Sequence, residues 1–243
     1  MSAVGLTFVL PVFNEALVLE RTFLELIPFL EGIGRSFEVL CVDDGSSDDS
    51  LRLLTAASER DERIRVLSLP ENRGKGAAVR KGVLEARGEH VFFLDADLST
   101  PLEETRGFLG ALDCGYDVVL GNRRAPGSKL DRRQPWIRET LGKGFTFLTR
   151  TLLAPGVQDF TCGFKGFRAE AARRVFERST LDGWAFDAEL VVIAQEQGLK
   201  LAQVPVSWRH EDDTKVRLVS AVLGSLGELG RIAIKRWRGD YKR

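Results

Sequence analysis

The sequence is poor in the residues that build metal knuckles, disulfide frameworks and membrane spans. Its 243 residues include three cysteines, two histidines and one methionine. Cys41, Cys114 and Cys162 are odd in number and widely spaced, which excludes a disulfide framework and a Cys-x-x-Cys metal knuckle. Two histidines cannot form a His-rich zinc site, and no Ser-His-Asp arrangement surrounds them. His90 precedes a strand and reads as structural, and His210 lies in a polar loop. No apolar run approaches the ~18 residues that cross a bilayer, and Met1 leads into a strand-like run without a basic, apolar signal segment. A reducing, cytoplasmic setting is the expectation. Excess charge of one sign is also missing, since 35 Lys and Arg face 35 Asp and Glu. That balance argues against a generalist nucleic-acid binder. What remains is an ordinary globular composition, 44% apolar and 29% charged, long enough for one large α/β domain or two small ones.

The first half alternates two patterns. Leu6–Val12, Phe37–Val42, Ile64–Leu69, Val91–Leu94 and Asp117–Leu120 are short, apolar, β-branched runs that read as strands. Helical patterns fall between them, near residues 15–29, 50–60 and 76–86. Such alternation means βαβ units and a mainly parallel sheet, with ligands bound beyond the carboxyl ends of the strands. The residues there are Asn14 and Glu15, Asp43 and Asp44, Asn72 to Gly76, Asp95 and Asp97, and Gly121 to Arg123. Any one pair reads equally well as turn chemistry. Five strand ends carrying polar groups toward one edge make a site the stronger reading. In the second half a helix is expected near residues 136–153, another from Ala169, and a late strand near 201–208. Between them lie the dense stretches Asp159-Phe-Thr-Cys-Gly-Phe-Lys-Gly-Phe167 and Trp184-Ala-Phe-Asp-Ala-Glu-Leu190.

Asp95-Ala-Asp97 follows the most apolar of the strands. Two carboxylates two residues apart at a strand end can converge on one hard cation, Mg²⁺ or Mn²⁺, completed by water and substrate phosphates. The same residues before Ser99-Thr-Pro also suit a turn and helix cap. A dinucleotide-binding fingerprint would need G-x-G-x-x-G where Pro11-Val-Phe-Asn-Glu15 stands. A P-loop would need a spacing and a hydroxyl that Asn72-Arg-Gly-Lys-Gly76 lacks. Acid clusters, a carboxylate pair and basic residues together fit a nucleotide-diphosphate substrate.

Leu10-Pro-Val-Phe-Asn-Glu15, Val42-Asp-Asp-Gly-Ser-Ser-Asp48, Asn72-Arg-Gly-Lys-Gly-Ala-Ala78 and Asp95-Ala-Asp-Leu-Ser99 resemble the family 2 glycosyltransferases of GT-A fold. Asp159-Phe-Thr-Cys-Gly-Phe-Lys165, Trp184-Ala-Phe-Asp-Ala-Glu189 and Val206-Ser-Trp-Arg-His-Glu211 through Thr214-Lys215 resemble the dolichyl-phosphate β-glucosyltransferases within them. The resemblance implies a Rossmann-like nucleotide-diphospho-sugar transferase fold. It also implies an inverting, metal-dependent enzyme that moves a sugar, glucose from UDP-glucose foremost, to a polyprenyl or dolichyl phosphate. Residues 1–122 would form the nucleotide-sugar half of a catalytic domain ending at 215, and residues 123–215 its acceptor half. Pro11, Asn14, Glu15, Asp43, Asp44, Lys75, Ala96 and Lys215 would meet the donor. Asp95 and Asp97 would hold the Mg²⁺ or Mn²⁺ on the diphosphate. Arg123 and Arg138 would hold the acceptor phosphate, with Trp184 beside them, because planar guanidinium forks suit phosphate. Asp187 is the candidate base if the acceptor is a hydroxyl, and equally a partner for sugar hydroxyls or an arginine. Phe186 and Trp208 read as core more readily than as a sugar platform, and Cys162 as a small buried side chain. Ser99 stands where mannose synthases of this group usually carry Gln, which favours the glucosyl branch. The alternatives are a GDP-mannose donor, a soluble hydroxyl acceptor, or, in a different class, a nucleotidyltransferase.

Residues 216–243 show apolar positions at helical spacing and a crowded basic end. They read equally as an amphipathic anchor on the cytoplasmic face of a membrane and as a helix packed on its own domain with a solvated basic tail. The zero net charge is a cancellation. Residues 123–150 and 215–243 each carry eight basic and two acidic groups, and the remainder sums to −12.

Overall fold

The computed structural model describes residues 4–128, 144, 149–151, 153–183, 185–208 and 218–242. Strands β1 (Leu6–Val12), β2 (Phe37–Asp43), β3 (Ile64–Ser68), β4 (His90–Phe93), β5 (Val118–Asn122), β6 (Lys165–Arg168) and β7 (Leu201–Pro205) form one sheet in the order β3-β2-β1-β4-β6-β5-β7. All neighbouring pairs are parallel except those made by β6, which runs antiparallel between β4 and β5. The helices are α1 (Ala16–Glu31), α2 (Ser50–Arg60), α3 (Lys75–Leu84), α4 (Thr105–Asp113), α5 (Ala169–Phe176), α6 (Phe186–Glu196) and α7 (Leu218–Arg238).

The strand sequences explain why both faces of the sheet are covered. In β1 and β2 every side chain except that of Pro11 is buried, as in a parallel sheet between two helix layers. Alternate residues feed two cores. Phe8, Leu10, Val39, Cys41 and Phe92 pack with Leu19 and Leu26 of α1 and Phe108 and Leu112 of α4. Val9, Leu40, Val42, Val91 and Phe93 pack with α3, α5 and α6. Neighbouring phenylalanines of β4 serve opposite cores. Phe92 stacks on Phe8 at 4.8 Å, and Phe93 lies about the rings of Phe167 (6.2 Å) and Phe186 (6.0 Å). Phe186 is therefore core.

Pro11 marks the place where the sheet opens. The pairing of β1 with β4 ends at Val9 and Phe93, and Leu94 N–H then donates to Val9 C=O. Hydrogen-bonding direction alternates along a strand, so Pro11 faces the β4 side one step beyond the last pair, where no donor is needed. The chain order reverses at this point, β1 leading to β2 and β3 on one side and to β4 on the other. Such a switch point leaves a crevice at the carboxyl edge of an open α/β sheet.

Sequence reading and structure part after β4. The helix expected near 136–153 lies mostly outside the described residues. β6, α4 and α6 were not expected as elements. β6 is four residues containing Lys and Gly, too short and polar to read as a strand. α6 is buried along most of its length, so no amphipathic period betrays it. The C-terminal tail is not solvated throughout: Tyr241 is buried and its hydroxyl donates to the buried Glu189 at 2.8 Å. Leu229 and Ile232 of α7 are buried against the domain, whereas Trp237 is 87% exposed. No described helix is long and apolar enough to cross a membrane.

Candidate active site

Each parallel strand ends in a loop at the same edge, and the antiparallel entry of β6 brings the residues before Lys165 to that edge too. After β1, Asn14 takes the left-handed conformation (φ 56°), which Asn tolerates. Its Oδ1 accepts from the N–H groups of Ser47 (2.8 Å) and Asp48 (3.3 Å), tying the β1 and β2 ends together. Glu15 is half-buried beside it, its N–H bonded to Ser50 Oγ at 2.8 Å.

Asp43 and Asp44 differ in what they hold. Asp43 accepts from Ser46 N–H (3.2 Å) and from the Ser68 hydroxyl (3.3 Å). Asp44 accepts from the N–H groups of Arg73 and Gly74, both at 2.8 Å. Burial pushes the Asp44 carboxyl above its ordinary value, and the two N–H groups pull it partly back. This carboxylate therefore sets the loop that starts α3. Gly74 in that loop has φ 106°, and a Cβ there would strike the carbonyl of Asp182.

The β4 loop carries the carboxylate pair. Asp95 Oδ1 is ion-paired with Lys75 Nζ at the head of α3. Gly163 backs onto the same carboxylate: a Cβ at that position would lie 2.8 Å from Asp95 Cγ. Asp97 accepts from Ser99 N–H at 2.8 Å and from the Ser99 hydroxyl. Burial, followed by the neighbouring Asp95 charge, raises the Asp97 carboxyl. Between them Ala96 is buried, with its C=O 2.5 Å from the Thr22 hydroxyl. Leu98 closes the turn in the left-handed region (φ 54°), a conformation costing a non-glycine residue about 1 kcal/mol or more. Arg21 donates to the Asp97 carbonyl at 3.1 Å, so α1 braces this turn.

Deeper in, Lys165 is fully buried. Its ammonium is ion-paired with Asp187 Oδ1 and donates to the carbonyls of Phe160 (3.1 Å) and Cys162 (2.8 Å). Burial pushes Asp187 up, against the pull of Lys165 and Lys75. Burial likewise opposes the charge on Lys75, but Asp95 and Asp187 outweigh it and its affinity for a proton ends raised. At the end of β5, Arg123 forks onto Asp159, Nε at 2.7 Å and an Nη at 2.8 Å, and also reaches the Thr161 hydroxyl at 2.9 Å. Asp159 is buried, yet Arg123 holds its carboxyl below the ordinary value. Trp208 is half-buried with its ring 5.6 Å from the Arg123 guanidinium, neither core nor isolated. Cys162 is buried and its thiol is pushed up, so it is no nucleophile.

The structure thus gathers Lys75, Asp95, Asp97, Asp187 and Arg123 at one edge. Arg138, Trp184 and Lys215 lie outside the described residues. Three residues that sequence reading quoted in a motif or passed over hold the site in place: Lys165, Asp159 and Asp182. Asp182 is ion-paired with Arg80 and bonded to Arg73 at 3.1 Å, and its carbonyl accepts from Gly76 N–H at 2.9 Å. Lys165 had a legible signal, a single charge between Phe164 and Phe167.

The residues present fit a hard divalent cation. Among the described residues no group of three or more His, Cys, Asp and Glu converges on one point. The donor set is two carboxylates at a strand end, which suits Mg²⁺ or Mn²⁺ shared with substrate phosphates better than an all-protein cage. The ammonium on Asp95 shows that this oxygen attracts a cation.

Comparison with known proteins agrees with this geometry. Residues 7–176 match the family described as glycosyl transferase family 2. A dolichyl-phosphate β-glucosyltransferase of Dictyostelium discoideum is 32% identical over 251 residues, covering 98% of this chain and 76% of the relative. The Homo sapiens enzyme of the same name is 32% identical over 224 residues, covering 87% and 69%. Among solved structures, glucosyl-3-phosphoglycerate synthase from Mycobacterium tuberculosis in complex with UDP superposes with a TM-score of 0.70 at 21% identity, covering 96% of this chain and 81% of the other. The same enzyme in complex with Mn²⁺, UDP and glucosyl-3-phosphoglycerate gives a TM-score of 0.64. The α/β sheet, with its strand order reversing at β1, is the GT-A fold, and the chain belongs to glycosyl transferase family 2.

Proposed function

We propose that this glycosyltransferase is inverting and metal-dependent, and that it moves glucose from UDP-glucose to a polyprenyl phosphate of the dolichyl type. The observation that carries this reading is the juxtaposition at one sheet edge of a cation-attracting carboxylate pair, Asp95 and Asp97, with the Arg123 fork. The names of the relatives support the donor sugar and the acceptor class. In this reading residues 1–122 form the donor half and residues 123–215 the acceptor half. A divalent metal, when bound by Asp95 and Asp97, supplies positive charge to the departing diphosphate.

The chain's own residues do the rest. Asn14, Glu15, Asp43 and Asp44 shape the base and ribose pocket at the ends of β1 and β2. Arg123, steadied by Asp159 and faced by Trp208, presents a planar cation to the acceptor phosphate. An acceptor phosphate oxygen attacks the anomeric carbon from the side opposite UDP, the bond to UDP breaks, and configuration inverts. Such an acceptor is already ionised near neutral pH and needs no general base. Asp187 suits this, because it is buried and its Oδ1 is taken up by Lys165, which leaves it to position that ammonium. Arg138, Trp184 and Lys215 are assigned here on the family motif alone. Trp237 and the basic end of α7 would meet an anionic membrane surface where the lipid resides.

A donor panel of UDP-glucose, UDP-GlcNAc and GDP-mannose against a short polyprenyl phosphate, scored for released nucleotide and lipid product, tests this. UDP and a glucosyl lipid are expected. Product only from GDP-mannose would move the chain to the mannosyl branch, and product only with an alcohol acceptor would reject the phosphate. Arg123→Lys keeps the charge and loses the planar guanidinium, together with its fork onto Asp159. It should raise KM for the phosphate about tenfold or more while sparing KM for the donor.

A further inference from the structure

Asp95 carries a cation that belongs to the chain. Lys75 Nζ is ion-paired with Asp95 Oδ1, on the carboxylate assigned above to the metal. The backbone beneath Lys75 cannot retreat. Asp44 holds the N–H groups of Arg73 and Gly74, Gly76 N–H is bonded to the Asp182 carbonyl, and a Cβ at Gly76 would lie 2.8 Å from that of Phe186. The Lys75 side chain is different, since it is about one-fifth exposed and its flexible stem can swing the ammonium away from a fixed base. Gly163 closes the opposite side of Asp95. An ammonium and a divalent cation cannot share Asp95 Oδ1 without strong repulsion. A nucleotide diphosphate brings the negative charge that can take the ammonium over while Asp95 is released.

We propose that Lys75 is a placeholder for the metal on Asp95, drawn off by the donor's diphosphate, so that metal and donor load interdependently. The proposal rests on the donor and metal reading above and goes beyond it by assigning an order to loading. Without donor, the metal has to displace a charge-assisted hydrogen bond, which weakens its binding by about tenfold or more. With donor, that bond is replaced rather than lost. By linkage the metal must then strengthen donor binding by the same factor.

The test titrates Mn²⁺ into the 243-residue chain with and without saturating UDP, reading free Mn²⁺ by electron paramagnetic resonance, for wild type, Lys75→Met and Lys75→Arg. Without UDP, Lys75→Met is expected to bind Mn²⁺ about tenfold or more tightly than wild type, and Lys75→Arg to stay close to wild type. The gain that UDP confers on Mn²⁺ affinity should shrink in Lys75→Met by the same factor. Equal Mn²⁺ affinity of wild type and Lys75→Met without UDP overturns the placeholder alone. A wild type that binds neither UDP nor Mn²⁺ overturns the donor reading and the placeholder with it. Should Lys75→Met fail to fold, wild type still decides the matter through amine-reactive labelling of Lys75 read by peptide mass spectrometry. Labelling is expected to rise severalfold at saturating Mn²⁺ without nucleotide, and unchanged labelling overturns the proposal.

Discussion

Gly163→Ala isolates the geometry of Asp95 from the stability of the fold. The added Cβ would collide first with Asp95 Oδ2, and would lie 2.8 Å from Cγ and 3.2 Å from Oδ1. Ordinary carbon–oxygen contact begins near ~3.2 Å, so Oδ2 has to give by more than about 1 Å. A rigid site would lose about 1–3 kcal/mol to such overpacking. Asp95 is partly exposed and can rotate away from Gly163, which holds the cost near the low end. Gly163 lies outside the left-handed region, so alanine introduces no backbone strain, and it removes about 0.4–1 kcal/mol of unfolded-state entropy. The net change in stability is expected to be within about 1 kcal/mol. Activity responds differently, because displacing a reacting group by about 1 Å costs on the order of a hundredfold. Glycosyl transfer should therefore fall by about ten- to a hundredfold, with Mn²⁺ affinity falling alongside. Gly110→Ala in α4, where a Cβ meets nothing within 4 Å, is the control, with unchanged transfer and up to about 1 kcal/mol of added helix stability. Urea denaturation and initial rates on the two variants give both numbers. Full transfer by Gly163→Ala would refute the placement of Asp95 in the reacting centre.

Three further outcomes follow from the structure. Lys165→Met leaves Asp187 buried without its ammonium and should cost about 3–5 kcal/mol in chemical denaturation, whereas Lys165→Met with Asp187→Leu should recover much of that loss. His90 is buried at the start of β4 with Nδ1 unpartnered among the described residues, and burial lowers its affinity for a proton below the ordinary pKa of 6.5. The unfolded chain then takes the proton first, so stability is full above pH 6.5 and declines as pH falls toward the lowered value; His90→Leu should remove that part of the slope in denaturation curves at several pH values. Tyr241→Phe takes one of four donors, among the described residues, from the buried Glu189 and should cost about 1 kcal/mol, read as a shift in urea midpoint at constant m.

Much of this molecule follows from local pattern. The runs β1 to β4 and the helices between them were legible within two residues, because β1 and β4, buried on both faces, are nearly unbroken apolar segments, and β2 and β3 are short runs rich in β-branched residues closed by turn residues. The carboxyl-edge rule then picks out Asn14, Asp43, Asp95 and Arg123 from the sequence alone, since chain direction decides which loops share an edge. Two kinds of information were not local. β6 exists as a strand because β4 and β5 flank it, and Lys165-Gly-Phe-Arg168 has little preference for that state by itself. The pairing of charges is equally non-local: Lys75 with Asp95, Lys165 with Asp187 and Arg123 with Asp159 join residues 20, 22 and 36 positions apart. Composition reported only that positive and negative charges cancel. The sequence by itself determined the alternation, the edge and the family. Tertiary structure alone decided which charge neutralises which, because the strength of an ion pair depends on distance and burial, and both are set by the packed sheet rather than by spacing along the chain.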